Sequence, residues 1–219
     1  MALDRKQIEQ VLMSDNVFEQ FSEMHKSGIL KEELPELDAT YDCGQNNKNH
    51  QYTVFEHTMR AIEASEKDPI LRWALLFHDL GKVETKTINK EGQDAFYGHP
   101  KKSSELTHSI MGRFDFSDEE KDTIERVVKH HEDFLNIKPD PNAKDPEKNR
   151  KNVKKNAENF IQNVGEKNLP TIIRLRRADI KAQSAEKQKE NRNELIASLK
   201  WIGSAFKESR GKDLMVEER

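Results

Sequence analysis

The stretch that most constrains the fold is LRWALLFHDLGK, residues 71 to 82, where an apolar helical segment runs directly into a histidine and an aspartate. An imidazole and a carboxylate are costly to bury unless each has a partner. His78 shares its helical face with Leu71 and Leu75, so it must enter the interior with them. The fold therefore has to supply partners for His78 and Asp79 where this helix ends.

The composition favours a helical protein with a small core and a highly solvated surface. Only 34% of the 219 residues are hydrophobic, whereas 35% are charged. Long charged faces suit helices better than a β-sandwich. The formal net charge of −3 argues against bulk attraction to nucleic acid or to a membrane. Local basic runs such as KNRKNVKK, residues 148 to 155, leave contact with RNA open.

Cysteine content and the absence of apolar targeting segments indicate the compartment. Cys43 is the only cysteine, which excludes an intramolecular disulfide and favours a reducing environment. The charged N-terminal residues lack the apolar core of a secretory signal, and no apolar run approaches the length of a membrane span. We expect a cytoplasmic protein with no membrane contact.

Capping residues and prolines predict an all-α fold. Thr53 with Glu56, and Ser117 with Glu120, have the spacing of capping boxes, which mark helix starts. Helical patterns cover residues 4 to 27, 53 to 65, 69 to 80, 100 to 111, 118 to 131, 153 to 164 and one long segment from 170 onward. Residues 29 to 52 and 138 to 152 are expected to be irregular, the second as an exposed loop.

One short segment is strand-like, and glycine is expected to end the preceding helix. Residues 83 to 97 contain β-branched residues around the turn signal NKEG, which predicts a small hairpin. Gly81 is expected to adopt the left-handed conformation that stops a helix. We expect three parts: a helical extension at 1–28, the main domain at 29–183, and a C-terminal helix with a frayed tail at 184–219.

Helical spacing directs several histidines and aspartates toward the interior. At about 100° per residue, His131 lies on an apolar stripe, whereas His130 lies about 100° away from it. His57 and Asp179 likewise share faces with apolar residues of their own helices. Each alone is more often a hydrogen-bonded core residue than a ligand. Jointly, imidazoles and carboxylates from several helices favour a divalent metal as their shared partner.

Taken in order, five motifs resemble the HD-domain superfamily of metal-dependent phosphohydrolases. They are FEHTMRAIE, LRWALLFHDLGK, FYGHPKKSSEL, IERVVKHHE and RLRRADI. The likeness covers roughly residues 27 to 183 and is greatest to the HD region of bacterial CCA-adding tRNA nucleotidyltransferases. It implies an all-α HD-domain helical bundle with a small β-hairpin near residues 83–97. Residues 1 to 50 are too few for a nucleotidyltransferase head, which favours a stand-alone hydrolase.

The resemblance also implies roles for individual residues. The implied metal ligands are His57, His78, Asp79, His99, His131 and Asp179, with Asp79 as the bridge between two ions and His130 as an alternative to His131. Asp79 and Lys82 are the implied catalytic residues. Lys82, Arg176 and His50 are the expected substrate-binding residues, although Lys82 is equally explained as a cation that favours a helix C-terminus.

The function implied is hydrolysis of a phosphoester through a metal-activated water. The expected cofactor is one or two divalent ions of Mn, Mg, Ni, Co, Fe or Zn, and the expected substrate is a nucleotide or an RNA end. Two alternatives stay open from the residues. A di-iron oxygenase of the same superfamily shares the six-ligand pattern, and an RNA-binding module with a vestigial metal site would use the basic patches.

Overall fold

The structure is a computed structural model that describes residues 3–46 and 52–214. Its α-helices, in chain order, are α1 (Arg5–Leu12), α2 (Val17–Lys26), α3 (Ile29–Glu33), α4 (Pro35–Asp38), α5 (Val54–Glu63), α6 (Pro69–Phe77), α7 (Lys82–Thr85), α8 (His99–Met111), α9 (Asp118–His130), α10 (Pro146–Val164), α11 (Leu169–Lys181) and α12 (Ala185–Arg210). Short 3-10 helices span Asp133–Asn136 and Glu166–Asn168. The predicted substrate-binding residue His50 lies outside the described residues.

The all-α class with a small hairpin is confirmed. Strands β1 (Thr87–Ile88) and β2 (Asp94–Ala95) pair antiparallel, with Thr87 opposite Ala95 and Ile88 opposite Asp94. The hairpin is shorter than predicted, because the first of its predicted strand residues form helix α7. None of the helices in the described ranges is long and apolar enough to cross a membrane.

The predicted capping boxes set the starts of α5 and α9. The Thr53 hydroxyl accepts from the Glu56 backbone N–H, and the Glu56 carboxylate accepts in return from the Thr53 N–H. Ser117 and Glu120 make the same reciprocal pair. Each box satisfies two backbone N–H groups that a helix start would otherwise leave without partners. These local bonds fix where the two helices begin.

Helix α6 is the centre of the bundle. Every residue from Leu71 to Phe77 is buried, and the helix contacts α1, α5, α8, α9 and α11. Arg72, although charged, is buried among backbone carbonyls and donates to Leu12 O, Ser65 O and Glu66 O. A guanidinium has donors enough to satisfy several carbonyls at once. These bonds hold α6 against the chain segments that end α1 and α5. The C-terminal end of α6 lies in the interior.

The predicted role of Gly81 is wrong. Helix α6 ends at Phe77, and Gly81 has a right-handed φ of −65°. A Cβ at this position would lie 2.6 Å from the His99 carbonyl oxygen and 2.6 Å from the Ser103 backbone nitrogen. Glycine is required here by the close approach of α7 to the start of α8, which cannot be recognised from the local sequence.

The structure differs from the prediction in three segments. Two were predicted to be irregular and contain helices, and one was predicted to be a single helix and is divided. Residues 29–52 contain the short helices α3 and α4, and α10 begins at Pro146 inside the predicted loop 138–152. The Asp145 carboxylate caps α10 by accepting from the Lys148 N–H, so a polar segment forms a solvated helix. The predicted last helix is divided into α11 and α12, and the Gln188 amide donates to the carbonyls of Lys181 and Gln183 at the break. The predicted domain boundaries stay a prediction.

Candidate metal centre

Five parts of the bundle bring six predicted side chains together. Helix α5 provides His57, the corner after α6 provides His78 and Asp79, the start of α8 provides His99, the end of α9 provides His131, and α11 provides Asp179. Each of the six is at most 5% exposed. Buried imidazoles and carboxylates at this density require partners, so the centre cannot be explained as an ordinary apolar core.

The six side chains form two groups of three. The ligand atoms of His57, His78 and Asp179 all lie within 4.8 Å of one another, with 2.8 Å between His57 Nε2 and Asp179 Oδ1. Those of Asp79, His99 and His131 meet the same limit. Distances of this size allow all three atoms of a group to bind one ion, since metal–ligand bonds are about 2 Å long.

The carboxylate of Asp79 joins the two groups. Its Oδ2 lies 3.3 Å from His78 Nε2 and 3.8 Å from His57 Nε2. Its Oδ1 lies 3.2 Å from His99 Nε2 and 3.8 Å from His131 Nε2. One oxygen therefore faces each group, which is the arrangement that a carboxylate bridging two ions would need.

Backbone carbonyls orient three of the imidazoles. The Nδ1 atoms of His78, His99 and His131 lie 2.7, 2.9 and 2.7 Å from the carbonyl oxygens of Leu75, Phe96 and Val128. Because a carbonyl only accepts, Nδ1 carries the proton and the Nε2 lone pair is directed at the centre. His78 and His131 each follow the last residue of a helix, where carbonyls lack helical partners. The carbonyls at the helix ends thus favour the tautomer in which Nε2 is free to bind a metal.

Two features of the centre show that its residues suit a cation. His99 Nε2 and His131 Nε2 lie 3.3 Å apart, although each has its proton on Nδ1, so two lone pairs face each other. His78 Nε2 and Asp79 Oδ2 are buried with no hydrogen-bond partner among the described residues. Lys82 Nζ lies 2.8 Å from that Asp79 oxygen but is not aligned for a hydrogen bond. Neutral imidazoles with carboxylates fit a divalent ion of the first transition row, and the residues present therefore suit one.

Neighbouring cations keep both aspartates ionised. Burial would raise the pKa of Asp79, but the charges of His78 and Lys82 outweigh it and hold the pKa well below its usual value. Burial acts the same way on Asp179, where Arg176 and His57 lower the pKa well below its usual value. Both carboxylates are therefore charged and able to bind a metal across the physiological range.

The two histidines of the α6 and α9 ends differ in their proton affinity. Burial, together with the nearby His99 and His78, lowers the pKa of His131 well below its usual value. Burial would also lower the pKa of His78, but the adjacent Asp79 outweighs it and raises that pKa. A neutral His131 is ready to bind a metal, whereas a proton on His78 would compete with one.

Lys82 is turned into the centre rather than toward solvent. Its side chain is buried, and Nζ lies 2.8 Å from Asp79 Oδ2 and 2.9 Å from Gln45 Oε1. It also lies 5.5 Å from the centroid of the Phe96 ring. Lys82 is the first residue of the four-residue helix α7, and its role in the centre stays a prediction.

Arg176 and His130 lie at different distances from the centre. Arg176 is buried and donates to Asp179 Oδ2, so it adjoins the centre through that carboxylate. His130 is partly exposed, and its Nδ1 lies 2.7 Å from Asp133 Oδ2. Of the two adjacent histidines, the structure brings His131 into the group and leaves His130 outside it.

Sequence patterns did not reveal Gln45, Phe96 and Glu132 as neighbours of the centre. Gln45 lies in a polar stretch with no helical or strand pattern, and its long-range bond to Lys82 brings it to the centre. Phe96 supplies the carbonyl that orients His99. Glu132 directly follows the histidine pair, and its Oε1 lies 3.9 Å from His99 Nε2. Adjacency to His131 was the one signal that could have indicated Glu132.

Comparison with known proteins agrees with these motifs. The HD-domain family model matches residues 48–195. The A-adding tRNA nucleotidyltransferase of Deinococcus radiodurans is 29% identical over 133 residues, which are 58% of this chain and 30% of that protein. The multifunctional CCA protein of Methylobacillus flagellatus is 32% identical over 124 residues, which are 55% of this chain and 29% of that protein.

A third relative matches a shorter part of the chain. The multifunctional CCA protein of Pseudomonas syringae is 35% identical over 81 residues, which are 35% of this chain and 20% of that protein. The matched part thus spans at most 30% of the length of these three relatives. The family model, by contrast, covers well over half of this chain, and its extent includes all six residues of the centre. The predicted resemblance is confirmed, and the chain belongs to the HD-domain family.

Proposed function

We propose that this protein is a metal-dependent phosphohydrolase, either a phosphatase or a phosphodiesterase, that acts on a phosphoester of a nucleotide or of an RNA end. The observation that carries the proposal is the Asp79 carboxylate, whose two oxygens face two separate groups of buried ligand atoms. The HD-domain family includes metal-dependent phosphohydrolases, and one relative named above is by its name a tRNA nucleotidyltransferase. An RNA end is therefore the favoured substrate.

The proposed ligands divide as the structure groups them. His57, His78 and Asp179 would hold one ion, His99 and His131 would hold a second, and Asp79 would contribute to both. Divalent ions of Mn, Mg, Ni, Co, Fe or Zn would supply a hydroxide near neutral pH and would offset charge on the phosphoryl oxygens. The metal identity is left to experiment, because imidazole and carboxylate ligands suit several of these ions.

Residues of the chain have distinct parts in the hydrolysis. The oxygen of a water molecule bonds to phosphorus as the water releases a proton to solvent, the P–O bond to the leaving group breaks, and the leaving oxygen takes up a proton from solvent. Asp79, kept ionised by its neighbours, accepts a hydrogen bond from the attacking water and orients it. Lys82 donates to a phosphoryl oxygen by leaving its contact with Asp79 or Gln45. Arg176 keeps Asp179 ionised, and its contact with substrate stays a prediction, as does that of His50.

A phosphoester panel on metal-reloaded protein tests the proposal. Protein stripped with a chelator is reloaded with each candidate ion and given 2′,3′-cyclic nucleotides, nucleoside monophosphates, and RNA with phosphorylated or cyclic-phosphate ends. We expect hydrolysis that requires metal, that is lost in Asp79→Asn, and that is kept in the matched surface variant Asp133→Asn. Absence of hydrolysis with every ion and substrate would contradict it.

The same preparation separates the two alternatives. Oxygen uptake by the iron-loaded protein without phosphoester hydrolysis would favour a di-iron oxygenase. RNA binding by protein that takes up no metal would favour an RNA-binding module. Neither result is expected, because each of the two groups offers three buried ligand atoms that suit a divalent cation.

A further inference from the structure

We propose that Glu132 is an additional, solvent-side ligand of the second metal position, the one formed by Asp79, His99 and His131. This inference rests on the proposed function, since it concerns the same centre. Glu132 follows His131 directly, and its Oε1 lies 3.9 Å from His99 Nε2. Within the described residues it is the acidic side chain near this group that also reaches solvent, at 40% exposure.

The distance suits a ligand that closes on a bound ion. Bonds of about 2.1 Å place neighbouring ligand atoms of one ion roughly 3 to 3.5 Å apart. The distance from Glu132 Oε1 to His99 Nε2 exceeds this spacing by less than about 1 Å. A glutamate side chain covers such a shift by rotation about its own bonds, and its partial exposure leaves it room to do so.

The number of ligands differs between the two positions. The first group offers His57, His78 and Asp179 together with Asp79 Oδ2, which makes four atoms from the protein. The second group offers only His99, His131 and Asp79 Oδ1. Glu132 would make the two positions equal in number of protein ligands. The residue it contacts, His99, belongs to the second position, which has fewer ligands.

The charge balance also calls for another carboxylate. Asp79 and Asp179 are already paired with Lys82 and Arg176, so these four side chains carry no net charge. Two divalent ions would add four positive charges in a region where burial makes charge costly. Glu132 supplies one compensating negative charge. Because it stands at the solvent side, it can yield its position to a phosphoryl oxygen when substrate enters.

Manganese binding to purified, metal-stripped protein tests this assignment without relying on activity. Isothermal titration calorimetry and electron paramagnetic resonance are applied to wild type, Glu132→Gln and the control Asp133→Asn. Asp133 is the neighbouring carboxylate, has the same charge, and faces His130 rather than the centre. We expect wild type and Asp133→Asn to bind two Mn²⁺ with a spin-coupled signal.

In Glu132→Gln we expect the first Mn²⁺ to bind as in wild type and the second to bind at least about tenfold more weakly, by analogy with the loss of a supporting group at a metal site. The spin-coupled signal should then be missing at a Mn²⁺ concentration that saturates wild type. Equal far-ultraviolet circular dichroism and thermal midpoints of the stripped proteins would show that folding is unaffected. Glu132→Asp, with a shorter carboxylate, should lie between the two.

The outcomes separate this inference from the proposed function. If Glu132→Gln binds both Mn²⁺ ions as tightly as wild type, Glu132 is not a ligand, while the two-metal centre stands. If wild type binds only one Mn²⁺, the second position and its ligand are both wrong. If wild type binds none, the inference and the metal-dependent function are contradicted together.

Discussion

At the scale of single residues, the environment of Asp79 decides what the centre can do. The carboxylate lies among four imidazoles and one ammonium, and its pKa is held well below the usual value despite its burial. Lys82, which pairs with this carboxylate by charge, donates a hydrogen bond to Gln45. An ammonium shared between a carboxylate and an amide can transfer to a phosphoryl oxygen without being left unpaired in the interior.

Replacing Lys82 by methionine separates substrate binding from metal binding. Lys82→Met keeps the aliphatic length but removes the donor, so kcat/KM should fall about 10- to 100-fold, which corresponds to one charged hydrogen bond. The affinity for metal should rise, because a positive charge 2.8 Å from a ligand oxygen is removed. Calorimetric metal titration beside steady-state kinetics measures both effects. Unchanged kcat/KM with unchanged metal affinity would show that Lys82 only fills space.

At the scale of elements, the centre depends on how closely helices approach one another. Helix α8 meets the α6–α7 corner across Gly81, whose backbone N–H donates to Ser103 Oγ at 2.9 Å. The same approach sets the position of His99, since a Cβ on Gly81 would meet its carbonyl oxygen. Packing of α7 on α8 therefore determines the geometry of the second metal position.

Gly81→Ala should disturb both stability and metal binding. The added Cβ would lie 2.6 Å from two backbone atoms of α8, so α8 must shift, at a cost of about 1–3 kcal/mol in the free energy of unfolding. The second metal should bind more weakly, because His99 moves with α8. Urea unfolding and Mn²⁺ titration measure these effects.

Gly203→Ala is the matched control for that substitution. Gly203 lies inside α12, and a Cβ there meets nothing within 4 Å. Alanine should therefore raise the free energy of unfolding by about 0.5–1 kcal/mol and leave metal binding unchanged. If Gly81→Ala behaves like Gly203→Ala, the close approach of α7 and α8 is not what fixes the second position.

The contact of α1 with α9 should make stability depend on pH. Arg5 pairs through both terminal nitrogens with the Glu120 carboxylate, and this hydrogen bonding lowers the pKa of Glu120 from 4.5 to about 2. A lowered folded-state pKa stabilises the protein above pH 4.5, and the contribution is lost as pH falls toward about 2.

Glu120→Gln should therefore destabilise the protein at pH 7 and much less near pH 3. The loss at pH 7 is about 1 kcal/mol, since the pair is partly exposed and the glutamine retains part of the cap. Urea unfolding of wild type and variant across this range gives the difference in free energy at each pH. The exposed Glu119→Gln is the control. A difference that grows as pH falls would contradict the contribution assigned to Glu120.

At the scale of the whole molecule, local signals were predictable and long-range approaches were not. The all-α class and the starts of α5 and α9 follow from capping boxes within four residues of sequence. The inward direction of His131 follows from helical spacing, and the structure places it beside His99. The close approach at Gly81 and the bond between Gln45 and Lys82 join distant segments, so no local pattern could indicate them.

The bridging role of Asp79 is tested most directly by locating the metal ions in crystals of the manganese-loaded protein from anomalous diffraction. We predict two peaks roughly 3.5–4 Å apart. One should lie about 2.1 Å from Asp79 Oδ2, among His57, His78 and Asp179, and the other at the same distance from Asp79 Oδ1. Peaks that do not contact Asp79, or protein that remains free of manganese at saturating concentration, would contradict the proposed centre.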